Sequence, residues 1–97
     1  MFMSANKVAT VKVPKHLNIT MIDNFHQTMM PIIESESEII LDASDVEKVD
    51  SVGIQMLFSL KKTVEDHNQI MHLENVPEVL IQTAKQLGFE KKIGLEL

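Results

Sequence analysis

Apolar positions along the chain fall into short, separate patterns. Val8 to Val13 alternates, with Ala9, Val11 and Val13 on one face and Thr10 and Lys12 on the other. That spacing predicts a strand with one wet side. Pro14 ends it. From Thr20 to Ile33 the period lengthens. Ile22, Phe25, Met29 and Ile32 or Ile33 recur at steps of three and four, which predicts a helix with one buried stripe. Thr20 stands where an N-cap belongs, with Asp23 near the positive end of the helix dipole. Pro31 lacks a backbone donor, so the helix is expected to end near Met30, with irregular chain between Met30 and Glu34.

After the polar stretch Ser35–Ser37, Glu38-Ile39-Ile40-Leu41-Asp42 is a continuous apolar run between two acids. Such a run suits a strand covered on both faces. Residues 42–50 form an acidic connection containing Val46 and Val49. Ser51 to Asp66 reads as the second helix, its buried stripe being Ile54, Leu57, Phe58, the stem of Lys61, and Val64. His67-Asn68 stops it. Ile70, Met71 and Leu73 make a third short strand. Pro77 opens and Gly88 closes a last helix, Pro77–Leu87, with Leu80, Ala84 and Leu87 facing inward. The alternation of strand and helix predicts an α/β fold: a small mixed β-sheet with helices largely packed on one face. The 97 residues are enough for one domain spanning residues 1–97 and no more.

Composition removes several functions. The chain has no Cys, so thiol chemistry, thiolate metal sites and disulfides are excluded. All nine basic residues are Lys, against fourteen acids, giving a net charge of -5. Arg, Trp and Tyr are absent, and no basic stripe with stacking aromatics is present, which argues against nucleic acid. Missing Arg also removes the usual bidentate clamp for phosphate or carboxylate. No apolar run is long enough to insert in a membrane, and Met1 to Lys7 lacks the apolar core of a signal peptide, so a cytoplasmic protein is expected.

Three side-chain groups invite chemistry. Asp42, Asp45 and Asp50 suggest a metal or a receiver-type acidic site, but no calcium-loop spacing accompanies them. They read as solvated loop acids, with no metal and no cofactor. His16, His26, His67 and His72 form no HExxH or close i, i+4 pair and read as surface or cap residues. Of the seven Met residues, Met29, Met30 and Met71 read as core filler, while Met21 and Met56 are expected at an exposed, adaptable surface. Ser51 lacks the Gly-x-Ser-x-Gly elbow of a hydrolase, which argues against catalysis and against an enzyme.

The segment Val49-Asp50-Ser51-Val52-Gly53 carries the most information. A buried strand delivers an acidic turn, and Ser51 opens a helix whose first N–H groups are free to bind an anion. Two readings stand side by side. Asp50 or Ser51 is simply the helix cap, or Ser51 accepts a phosphate at the positive end of the helix. Gly53, without a side chain, is expected to leave the surface open to a partner's backbone or a phosphate.

Leu41-Asp42, Val46 and Val49-Asp50-Ser51-Val52-Gly53-Ile54-Gln55-Met56-Leu57 resemble the signature of the STAS domain, the fold of bacterial anti-anti-sigma factors. Leu73 to Val79 and Leu87-Gly88-Phe89 resemble the family's closing strand, third helix and following turn, so the resemblance runs from about residue 38 to 93. It implies a non-catalytic regulatory module, an anti-sigma factor antagonist switched by phosphorylation of Ser51. Val52 takes the place of the family's second small residue, and Asn18 stands about where the family carries an Asp. The implied partner surface is Asp50, Ser51, Val52, Gly53, Gln55, Met56 and Asn18. The implied partner is a protein, an anti-sigma-type serine kinase or an ATPase subunit. Two alternatives remain: a constitutive STAS subunit docked on a transporter or ATPase, or a small-ligand or nucleotide-binding module using the Ser51 helix start.

Overall fold

Three apolar patterns of the sequence become three parallel strands, seen in a computed structural model that describes residues 8–35 and 38–95. In chain order the elements are β1 (Val8–Lys12), β2 (His16–Leu17), α1 (Ile19–Ser35), β3 (Glu38–Asp42), β4 (Lys48–Val49), α2 (Ser51–Asp66), β5 (Ile70–Glu74) and α3 (Glu78–Leu87). The main sheet has the order β1-β3-β5. Its register pairs Val11 with Leu41 and Leu41 with Leu73. A second sheet consists of β2 and β4 alone, with His16 opposite Lys48 and Leu17 opposite Val49. Every strand pairing among the described residues is parallel, so the α/β fold is built on a parallel rather than a mixed sheet there.

The alternation of the strands decides which face meets the helices. Ile39, Leu41 and Met71 are buried, with Val11 and Leu73 packed against them. The other face carries Thr10, Lys12, His72 and Glu74 in the open. There the His72 ring lies 3.4 Å from the Glu38 carboxylate, a diagonal contact across the sheet. The central strand β3 is therefore fully buried on one face and half-buried on the other, less covered than its apolar run suggests. The helices supply the rest of the core through Phe25, Met29 and Ile33 of α1, Ile54, Leu57, Leu60 and Val64 of α2, and Leu80 and Ala84 of α3. Ile93 and Leu95, in the tail that has no periodic pattern, are buried in the same cluster. Half-buried Phe58 meets Phe89 edge-on, with centroids 5.5 Å apart.

Four expectations need correction. Helix α1 does not stop at Met30 but continues through Pro31 to Ser35. Pro31 is exposed, and Met29 and Ile33 anchor the turns on either side in the core. The missing donor thus removes one bond on the solvent side without detaching the helix. The cap of α1 is Asn18, not Thr20: Asn18 Oδ1 accepts from the Thr20 N–H at 3.1 Å and the Thr20 hydroxyl at 2.6 Å. Leu87 is 40% exposed, because α3 ends there in a left-handed Gly88 (φ 72°) and its last turn lies beyond the core. Met21 is half-buried and Met56 is buried, so neither is the exposed methionine expected. All four His residues are exposed, and the His67 ring nitrogen Nδ1 lies 2.8 Å from the Thr63 carbonyl at the end of α2.

Candidate functional site

Two strand–short strand–helix units stand side by side: β1-β2-α1 and β3-β4-α2. The short strands pair in parallel, so the residues that follow them, Asn18 and Asp50, come at equivalent positions at the starts of α1 and α2. Two-residue strands have no period to read, which is why β2 and β4 escape sequence reasoning. They nevertheless position the site. The Asp50 N–H donates to the Leu17 carbonyl at 3.1 Å. Asp50 is extended (φ -116°, ψ -179°), and its Oδ1 accepts from the Gly53 N–H at 3.0 Å. The first backbone bond of the helix runs from the Ile54 N–H to the Asp50 carbonyl, 3.2 Å. Asp50 is thus the N-cap of α2, and Ser51 is its first residue, exposed at the positive end.

The residues of the expected partner surface divide in two. Asp50, Ser51, Val52 and Gln55 are exposed, and Asn18 is half-buried beside them. Gly53 and Met56 are buried. A methyl group on Gly53 would collide with the Leu17 carbonyl oxygen and come within 2.9 Å of Leu17 C and Cβ. Gly53 therefore does not keep the surface open for a partner; it admits the backbone of β2. Leu17, which sequence reasoning passed over, is the residue from which the helix start hangs.

The acids of the connection have distinct tasks. Asp42 Oδ1 accepts from the Ser44 N–H at 3.0 Å and from the Asn75 amide at 3.1 Å. Lys12 Nζ lies 3.4 Å from Asp42 and 3.6 Å from Asp45, and donates to the Ser44 hydroxyl at 3.2 Å. The Ser44 backbone donor, then the Asn75 amide, then the remaining contacts with Ser44 and Lys12 hold the Asp42 carboxyl down to about 2. The same carboxylates, Asp42 first, raise the Lys12 ammonium. Asp42 is thus a hydrogen-bonded hub rather than a solvated loop acid, and Asp50 serves the helix cap. Among the described residues no group of three or more His, Asp and Glu side chains is arranged to hold a metal ion, and no helix is long and apolar enough to cross a membrane.

Comparison with known families gives a match of the STAS domain model to residues 4–97. No curated protein sequence matches the chain significantly.

Proposed function

The chain belongs to the STAS domain family, and on that premise we propose that it is a non-catalytic bacterial regulatory module, an anti-sigma factor antagonist that binds its partner in the cytoplasm through the start of α2 and is switched by phosphorylation of Ser51. The observation that carries this reading is an exposed serine as the first residue of α2, with the capping role taken by Asp50. Ser51 is then free of a structural duty and open to a kinase. The N–H groups of Ser51 and Val52 precede the first bonds of the helix and suit a phosphate on that hydroxyl.

A phosphate adds a charge of about -1.5 to -2. It would join Asp50 in a chain already at -5. Two unit charges at about 4 Å repel by about 1 kcal/mol in water and about 4 kcal/mol near a protein surface. Against an acidic group of the partner, a docked interface centred here would lose about fivefold to a thousandfold in affinity. The switch blocks a surface and leaves the fold unchanged.

A second reading rests on Val52, a branched apolar side chain 36% exposed beside Ser51. Such a residue suits a permanently docked STAS subunit of a transporter or ATPase, with Ser51 as a contact. A free nucleotide is the weaker ligand for this helix start, because the chain has no Arg to clamp its phosphates.

The test isolates the chain with its partner from cells in which it is native, maps phosphorylation, and titrates the partner against wild type, Ser51→Ala and Ser51→Glu. Phosphate on Ser51, retained binding by Ala and at least tenfold weaker binding by Glu support the switch. Equal binding by all three overturns it. Loss with Ala alone, the fold intact, transfers the reading to the constitutive subunit.

A further inference from the structure

The main sheet ends on β5, and that edge is open. The Ala43 N–H donates to the Glu74 carbonyl at 2.9 Å, so Glu74 turns its backbone groups toward β3. Backbone direction alternates along a strand. Ile70 and His72 therefore face β3 as well, while Met71 and Leu73 turn their N–H and C=O groups outward. No strand among the described residues pairs with them. The tail passes nearby without doing so. Its Ile93, Gly94 and Leu95 N–H groups donate to Phe89, Lys91 and Glu90, all within the tail itself. Between edge and tail lies a concavity of about 430 Å³, lined by Ile70, Met71, His72 and Leu73 of β5, Lys61 of α2, and Gly94. Successive strand side chains point to opposite faces, so four in a row share one concavity only along the strand's edge, where the backbone is bare.

This edge lacks the usual protection. Natural sheets blunt an open edge with Lys, Pro or a bulge. The segment Ile70–Glu74 has neither Lys nor Pro, and its register with β3 is unbroken. Ile70 is 55% exposed at its start. The site also selects its occupant. Two N–H and two C=O groups at strand spacing match the edge of another extended chain. Gly94 bounds the far side, which suits a single segment rather than the edge of a second sheet. Lys61 is the one lining side chain with a fixed charge. Its ammonium lies 3.1 Å from Glu65, but an exposed i, i+4 pair is weak and leaves it able to take a second carboxylate. The His72 ring faces Glu38 on the neighbouring strand, away from the edge. We infer that β5 accepts an extended segment of a partner protein as an added strand, with an Asp or Glu of that segment beside Lys61. Lys61 lies ten residues after Ser51, about 15 Å along α2, so this site stands apart from the Ser51 reading.

The experiment follows the backbone amides of the full chain by NMR as the peptide Ac-Thr-Val-Glu-Val-Thr-NH2 is added. Its residues favour the extended chain. One control peptide carries Lys in place of Glu, and another is N-methylated at its three central residues. At millimolar peptide the Met71 and Leu73 amide protons are expected to move downfield, and those of Ile70 and His72 to move less. The Glu peptide is expected to bind wild type at least about fivefold more tightly than the Lys peptide. Lys61→Glu is expected to reverse that order. Lys61→Met, which keeps the stem against Gly94, is expected to make the two peptides equal. N-methylation is expected to abolish the shifts. Equal binding of the Glu and Lys peptides by wild type overturns the inference, as do shifts that are absent or survive N-methylation. Met71 and Leu73 amides already protected from exchange in the free chain would put its own residues on the edge and overturn it too. Shifts at these amides that follow protein concentration alone would put a second copy there, with the same result.

Discussion

The Leu17 carbonyl oxygen accepts the Asp50 N–H at 3.1 Å while the same residue's backbone covers Gly53 so closely that no Cβ fits between them. One residue of a two-residue strand thereby fixes both the cap of α2 and its first turn. In an open helix, Gly→Ala stabilises by about 1 kcal/mol. Here the sign is reversed: Gly53→Ala is expected to cost about 1–3 kcal/mol through overpacking against β2. Urea denaturation of the variant measures it, and a neutral or stabilising result would show that β2 gives way freely.

Asp50 and Ser51 divide the start of α2 between a capping residue and an exposed one. Asp50→Ala removes the side-chain acceptor for the Gly53 N–H and is expected to cost about 0.5–2 kcal/mol. Ser51→Ala removes no cap and is expected within about 0.5 kcal/mol of wild type. Thermal melts of the two variants decide the assignment; the reverse order would make Ser51 the cap.

Leu57 and Leu87 test the burial of the helical stripes. Leu57 is fully buried in α2 and Leu87 is 40% exposed at the end of α3. Leu57→Ala is expected to cost about 2–5 kcal/mol, a large part of the roughly 5–15 kcal/mol that holds a domain. Leu87→Ala is expected to cost about 0.5 kcal/mol or less. Denaturant midpoints of the two variants provide the comparison.

Pro31 offers a stabilising change. Pro in a helix interior is about 3 kcal/mol worse than Ala, and Pro31 is exposed inside α1. Proline also restricts the unfolded chain, which offsets part of the gain. Pro31→Ala is expected to raise stability by about 1–2 kcal/mol, read as a higher melting temperature; a lower one would mean the proline shapes α1 in a way the core requires.

Asp42 sets a pH dependence. Its carboxyl titrates at about 2 in the fold, below its ordinary value of 3.8. The stability this contributes is fully present above the ordinary value and is lost as pH falls from there through about 2. Asn75→Ala removes one donor and is expected to raise the Asp42 pKa toward the ordinary value, moving acid unfolding to higher pH. Carboxyl NMR titration of Asp42 in both proteins checks the shift.

The sequence makes the large periodic elements legible. Helix α2 is expected and found over Ser51–Asp66, because its apolar spacing and its Asp-Ser start agree. Strands β1, β3 and β5 are legible from short β-rich runs. What is not legible is the contact between segments: the two residues of β2 have no period, and the need for Gly53 comes from a strand more than thirty positions earlier. Gly53 reads as open surface because its neighbour across space is not its neighbour in sequence. Ser51 is visible in the sequence because it follows an acid at a helix start. Ile22 and His26 are not, because they line a groove with Val52 and Met56 only once α1 lies beside α2.

The pairing of β2 with β4 means that the Ser51 surface is not a linear epitope. A peptide spanning residues 41–60 would carry every letter of the motif yet lack Leu17, the hydrogen bond on Asp50 and the α1 wall. A partner that reads this surface reads the tertiary structure, so nascent or unfolded copies of the chain do not compete for it. Recognition at this surface would at once be a check that the chain has folded.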